Sequence, residues 1–428
     1  MDSNRLAPLM RSLTHATVLG ELIEPAISAL DKSRSNCGWF SSMTMADFIT
    51  LGVLRHLKGV TTLRTMVQKL GHEVDDIKKP PVARSTWADA LASKLRLRVL
   101  HEVRHVLLSV VTRDCPDRLS AIPALGKRAV YAMDGSYQHE SAHFRRQTKS
   151  QGGEDSAKGH CLLSIYDVRR GCVADVAVET RSRHEIPIMK DYDATTGALT
   201  QVTNALWLVD RAFIDAGHWD LKKHKHGITM ITRMKSNLTI ESNEYLAIST
   251  DRCNEGVVSD QEITLNSSKE FWRLITFSSR RGRTVEFLTN DFSLQPGEIA
   301  FMYSRRWDEE KAFDVWKNDL AMSKAWGKSK ESITNQVLLA LITQLLLALF
   351  LAKYQLGGGA DQKSLDKQER REAGKDGGTD RPQWTEKLYR HTSRLSKQVL
   401  RFFEFCYNKT ASPELYEKQL RPLLLAYL

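Results

Sequence analysis

The sequence predicts an α/β protein. Its mixed-sheet core is interrupted by an all-β insertion, with a helical domain before the core and a helical tail after it. Three observations predict it. Short β-branched and apolar runs cluster between residues 126 and 235 around one helical stretch; further such runs follow from 236 to 299 with no helix among them; helical periodicity fills the chain on either side.

Taken in order, residues 1–125 read as helical, with MADFITLGVLRHL, TTLRTMVQKLG and a third segment after Pro80-Pro81. The prolines forbid continuation of the preceding helix, and Ser85 or Thr86 before Trp87 is the expected N-cap. Two short helices and a third with Arg and Lys on their polar faces suit a DNA-binding module, and equally an ordinary bundle with a solvated face. The core then opens with strands over Arg128–Met133, Cys161–Tyr166 and Cys172–Val178, with Arg169-Arg170-Gly171 as a hairpin turn. Strand, helix, strand follow in Leu206–Val209, Asp215–His226 and Ile228–Thr232, ending this first part of the core at residue 235. EYLAIS, EITLN, FWRLITFSS and TVEFLTN are the strands expected in the insertion, 236–299; residues 300–356 return to helix as the second part of the core. Residues 357–383 carry six glycines and twelve charges, too little apolar surface for a core, and read as a flexible linker to the helical tail, 384–428.

With 62 Lys+Arg against 51 Asp+Glu the net charge is +11, so polyanions are the default partners, nucleic acid first. A hydrophobic content of 42% excludes wholesale disorder. Six scattered cysteines with no CxxC pair argue against a disulfide scaffold and against a zinc ribbon. The stretch MDSNRLAPLMRSLTHATVLG shows no apolar signal region. Val337–Ala352 is nearly continuous in apolar residues, but it is shorter than the roughly 20 a spanning helix needs, and Thr343 and Gln344 interrupt it. It is expected to be a buried core helix, and the protein cytoplasmic, with no membrane partner.

The most informative stretch is Tyr303-Ser-Arg-Arg-Trp-Asp-Glu-Glu-Lys-Ala-Phe-Asp-Val-Trp-Lys317. On one continuous helix at about 100° per residue, Tyr303, Arg306, Glu310 and Lys317 share a stripe about 60° wide. Phenol, guanidinium, carboxylate and ammonium make a poor core face. They suit a carboxylate held at a metal with cations meeting phosphates beside it, or else a solvated face with an Arg306–Glu310 pair. Asp134 after RAVYAM and Asp210 after ALWLV are expected at strand ends. Two such Asp and one helical Glu are what two divalent ions need for phosphoryl transfer. A competing motif, His139-Glu140-Ser-Ala-His143, fits the H-E-x-x-H zinc-hydrolase pattern but lacks the downstream third ligand.

The spacing Tyr303-x2-Arg306-x3-Glu310-x6-Lys317 resembles the YREK signature of a large insertion-sequence group of bacterial DDE transposases. MDGS at Asp134 and LVDRAF at Asp210 resemble that family's two Asp motifs, and ITRMKSN and FLTND resemble stretches around its β-rich insertion. The resemblance, from about residue 80 to about 352, implies an RNase H-like catalytic core. It implies cut-and-paste DNA transposition, with Asp134, Asp210 and Glu310 holding two Mg²⁺ ions (Mn²⁺ able to substitute). Tyr303, Arg306 and Lys317 would grip terminal phosphates, and Trp272 or Trp307 would stack where a base is flipped out. Arg211, Arg233 and Lys235 are further candidates for DNA contact. The implied partners are terminal inverted repeats and target DNA, bound by a homodimer at the nucleoid. A catalytically silent DNA-binding descendant of the family is the alternative.

Overall fold

The structure, a computed structural model, describes residues 17–32, 43–57, 59–67, 82–138, 160–179, 184–196, 202–278, 284–314, 316, 320, 322, 325–327 and 329–353. The linker, the tail and the H-E-x-x-H residues His139, Glu140 and His143 lie outside these residues.

One nine-stranded sheet organises the molecule, in the order β3-β2-β1-β4-β5-β9-β8-β7-β6. Strands β1 (Val130–Gln138), β2 (His160–Asp167) and β3 (Cys172–Glu179) form an antiparallel meander. Strands β4 (Leu206–Val209) and β5 (Thr229–Arg233) add to it in parallel with β1. This three-strand meander with two parallel additions is the RNase H-like arrangement, and each strand falls on a run that the sequence marks as extended. Insertion strands β6 (Ile240–Tyr245), β7 (Val257–Leu265), β8 (Phe271–Ser278) and β9 (Thr284–Thr289) do not form a sheet of their own. β9 pairs antiparallel with β5, so the insertion extends the core sheet. β6 begins four residues earlier than the EYLAIS run suggests. It is exposed along its whole length, so no burial pattern marks it.

The alternation of side chains gives the sheet two apolar faces. Val130, Ala132, Leu206 and Leu208 face one core; Tyr131, Met133, Trp207 and Val209 face the other. The first face is covered by α9 (Lys330–Lys353), which packs on β3. Helices α1 (Thr17–Lys32), α2 (Met45–Leu57), α3 (Arg84–Ala92) and α4 (Lys94–Asp114) in turn pack on α9. Among the described residues α9 is the one helix long and apolar enough to cross a membrane, and 83% of that stretch is buried inside the protein. The expected cap at Ser85 or Thr86 is not used: α3 starts at Arg84 after Ala83, with no side-chain cap. Ser93 caps instead, its hydroxyl accepting the Arg96 N–H, because the chain breaks there into a second helix.

The second face is covered by α5 (Glu185–Thr196) and α6 (Ala216–His226). The Asp215 carboxylate caps α6, and Gly227 ends it at φ 67°, where a side chain would be strained. The basic run Lys222–His226 is thus a helix C-terminus, where cations suit the dipole, and Lys222 pairs with Asp193 of α5.

Asp291, just past β9, ties the insertion to the core. Its carboxylate takes Arg128 before β1 at 2.8 Å, Thr229 on β5 at 2.7 Å, and the Ser293 hydroxyl and N–H, each at 2.8 Å. Burial pushes this carboxyl up, but Arg128, Thr229 and Ser293 overcome it and hold it below the ordinary value. A depressed folded value means that the stabilisation is full above the unfolded aspartate value of about 3.9 and is lost as pH falls through the folded one. Asp291→Asn is therefore expected to lose about 3 kcal/mol at pH 7, as for a broken buried pair. Urea unfolding of the two proteins should show that gap closing below about pH 3; a gap independent of pH would refute the assignment.

Candidate active site

The site lies where β1 outruns β4. The two strands pair in parallel up to Met133↔Val209, so the next residues, Asp134 and Asp210, leave the paired region side by side. Asp134 is not at a strand end as the sequence suggests. β1 continues to Gln138 because β2 supplies an antiparallel partner, with Asp134 opposite Ser164. Asp210 does end its strand, and Arg211 opens a 3-10 turn directly after it.

The third carboxylate comes from the Tyr303 region, which is two helices and not one. α7 (Pro296–Arg305) opens with a capping box between Gln295 and Glu298, and α8 (Trp307–Asp314) follows after a break at Arg306. The break keeps the phase of the stripe, because Arg306 retains helical angles, φ −54° and ψ −33°. α7 packs over β4, β5 and β9 and α8 over β1, which carries Glu310 to the two aspartates. Lys317 lies outside the described residues.

Arg306 is the hub. Its guanidinium reaches Asp134 Oδ2 at 3.1 Å through Nη1 and Glu310 Oε1 at 2.7 Å through Nη2, and its side chain is only 7% exposed. Desolvation works against its charge, but Tyr303, Glu310 and Asp134 more than offset it, so it holds its proton more tightly than a free arginine. Tyr303 is buried 5.7 Å from that guanidinium, and burial raises its phenol above the ordinary range. Asp134 is pushed up by burial; Arg306 and the Gly135 N–H draw it down, while Glu310 and Asp210 push it up again, and the net direction is up. That mutual influence places the three acidic side chains in one electrostatic unit.

Two carboxylates escape sequence reasoning. Glu309, fully buried on α8, accepts a hydrogen bond from the Ser164 hydroxyl and one from the Asp134 backbone. Burial, then the neighbouring Asp134, raises it well above the usual carboxylate range, so it sits protonated beneath the site and bolts α8 to β1 and β2. Glu185 opens α5, a helix the sequence reading passed over. The signal was present: Pro187 suits a first turn, and Ile188, Met189 and Tyr192 bury one face. Burial, Asp134 and Asp210 each raise Glu185.

Of the remaining candidates, Arg211 and Arg233 are exposed and Lys235 half-exposed, at the same ends of β4 and β5 as the aspartates, and Arg233 lies in the field of Tyr303. Trp307 is 54% exposed beside Arg306, 5.8 Å from ring to guanidinium. Trp272 corrects the expectation that it could stack on a base. It is fully buried on β8, and its indole N–H donates to Asp220 and Ser268, so it packs the second core.

The donor set fits hard divalent cations: oxygen ligands only, from a rigid strand, a strand end and a helix, at a place that already stabilises a positive charge. Among the described residues no three metal-ligating side chains are gathered around one point, because Arg306 stands between Asp134 and Glu310.

Comparisons with known proteins agree with this geometry. A relative described as "Probable transposase for insertion sequence element IS5377", from Geobacillus stearothermophilus, is 28% identical over 192 residues, 44% of this chain and 48% of that protein. The chain thus spans about half the length of the relative it matches. A cryo-EM structure described as a piggyBac transposase synaptic complex with hairpin DNA aligns over 98% of this chain and 84% of its own, at 11% identity and a TM-score of 0.39, too low for any argument to stand on. Residues 126–346, just over half of the chain, match the family described as the transposase DDE domain, and all three carboxylates lie within that span. The chain belongs to the DDE transposase domain family.

Proposed function

We propose that the chain is an insertion-sequence transposase of the YREK-signature group, which cuts the ends of its element and joins them to new DNA. The observation that carries this reading is the convergence of Asp134, Asp210 and Glu310 with Arg306 between them. Asp134, Asp210 and Glu310 would hold two divalent ions, Mg²⁺ with Mn²⁺ able to substitute. Ions bound there stabilise charge on the attacking and leaving oxygens of a phosphodiester.

The chain's own residues supply position and counter-charge. β1 and the end of β4 fix two carboxylates on rigid backbone, while Glu309 holds the third through α8. Arg306 releases Asp134 or Glu310 as ions and DNA enter, and its planar fork then suits a terminal phosphate. Tyr303 and Lys317 flank that phosphate. Arg211, Arg233 and Lys235 neutralise the backbone of the same end, and the exposed Trp307 is the remaining surface for a flipped base. Water attack frees a 3′-OH at the element end; that hydroxyl attacks the opposite strand to give a hairpin, which is reopened before insertion. The partners are terminal inverted repeats and target DNA, held by a homodimer that pairs two ends before cutting.

The test is incubation of the full chain with DNA carrying the element's ends, in Mg²⁺ and in EDTA. Strand-specific nicks with free 3′-OH ends, formed only with the metal, are expected. Tight binding of those ends with no cleavage in Mg²⁺ or Mn²⁺ would point to the silent DNA-binding alternative.

A further inference from the structure

We propose that Glu185 is a fourth acidic residue of this site, holding a divalent cation jointly with Asp134 and Asp210; the inference rests on the metal-dependent reading above. Three observations carry it. α5 is held in place without Glu185: Ile188, Met189 and Tyr192 are buried against the sheet, the Tyr192 hydroxyl donates to Asp175 at 2.8 Å, and Lys190 pairs with Asp215 at 2.6 Å. The last contact also fixes α5 to the segment that follows Asp210. Among the described residues no hydrogen bond or salt bridge engages the Glu185 carboxylate, and the charges acting on it most strongly are those of Asp134 and Asp210.

The third observation is on the facing strand. A Cβ built at Gly135 would come within 2.2 Å of Glu185 Oε1. β1 therefore lacks a side chain at the one position, next to Asp134, over which this carboxylate lies. A glutamate at a helix start commonly serves the helix dipole. That role would be met by a carboxylate turned to solvent, and it calls for neither a glycine on β1 nor the approach to two acidic residues. Packing three carboxylates of α5, β1 and β4 together opposes folding unless a cation is shared among them, which is the usual logic of a divalent oxygen-donor site.

The experiment is a Mn²⁺ titration of the full chain bound to end DNA, followed by electron paramagnetic resonance, for wild type, Glu185→Gln, Gly135→Ala and Asp134→Asn. Glu185→Gln is expected to weaken Mn²⁺ binding at least tenfold, or to remove one of two bound ions, with an unchanged melting temperature. Gly135→Ala should reproduce the defect by displacing the flexible end of Glu185, and it serves as the readout if Glu185→Gln folds poorly. Wild-type Mn²⁺ binding in both Glu185→Gln and Gly135→Ala, with binding lost in Asp134→Asn, would overturn the role of Glu185 and leave the metal site standing. Wild-type binding in all three variants would overturn both.

Discussion

Asp134→Asn is expected to lower end cleavage by about a thousandfold or more while the protein folds and binds end DNA as before. The size follows from what the residue would do. Loss of an ion-holding carboxylate removes several kcal/mol of transition-state stabilisation, and about 1.4 kcal/mol is tenfold in rate. The unchanged fold follows from the balance at this position. Burial and the charges of Glu310 and Asp210 act against an ionised Asp134, whereas Arg306 and the Gly135 N–H act for it. Asn is the same shape, its carbonyl can still accept the Gly135 N–H held at 2.8 Å, and it removes the repulsion. The melting temperature should stay within a few degrees of wild type, and gel-shift affinity for end DNA should hold. Cleavage retained in a folded Asp134→Asn protein would refute the assignment of the site. A parallel drop in melting temperature would mark Asp134 as structural.

The sequence made the three carboxylates legible for a physical reason. Asp134 and Asp210 each interrupt an apolar run, and Glu310 shares a stripe with Tyr303 and Arg306; such departures from pattern are local and visible in one dimension. The meander and the parallel pair were legible because Cys161–Tyr166, Cys172–Val178 and Leu206–Val209 are buried and read as apolar runs. β6 was misplaced because all of its residues are exposed and nothing in them marks a face. Glu185 was missed because its importance comes from Gly135, fifty residues earlier, and from the register of β1 and β4. Neither is written in its own neighbourhood. Glu309 was passed over for the opposite reason: next to Glu310 it reads as one more helix charge, and only its contact with Ser164 shows that it faces inward. Trp272 and Trp307 could not be told apart from composition, and burial separated them.

A fragment beginning at residue 126 is expected not to fold, although the sequence suggests a separable DNA-binding module before that point. The reason lies in α9. Leu338, Leu339, Leu341, Ile342 and Leu345 are each no more than 1% exposed. The helix packs on α1, α2, α3 and α4 on one side and β3 on the other. A Cβ at Gly52 of α2 would come within 2.7 Å of Leu339, so that helix already lies in close contact with α9. Polar contacts run the same way: Asn335 donates to the Leu91 carbonyl at 2.7 Å, the Trp326 indole to the Thr61 carbonyl at 2.9 Å, and Arg55 stacks 3.3 Å over that indole. Uncovering even five such side chains forfeits about 1.5–3 kcal/mol each, a sum comparable to the roughly 5–15 kcal/mol that holds a typical domain folded. The fragment should therefore aggregate or lack a cooperative melt, as size-exclusion chromatography and near-UV circular dichroism would show. A monodisperse fragment with a sharp transition would mean that α9 finds other cover. If the expected result holds, whatever DNA contact the first 125 residues make cannot be removed without removing the core. Binding and cutting must then be separated by point substitutions on exposed faces, such as Arg211 and Arg233, rather than by truncation.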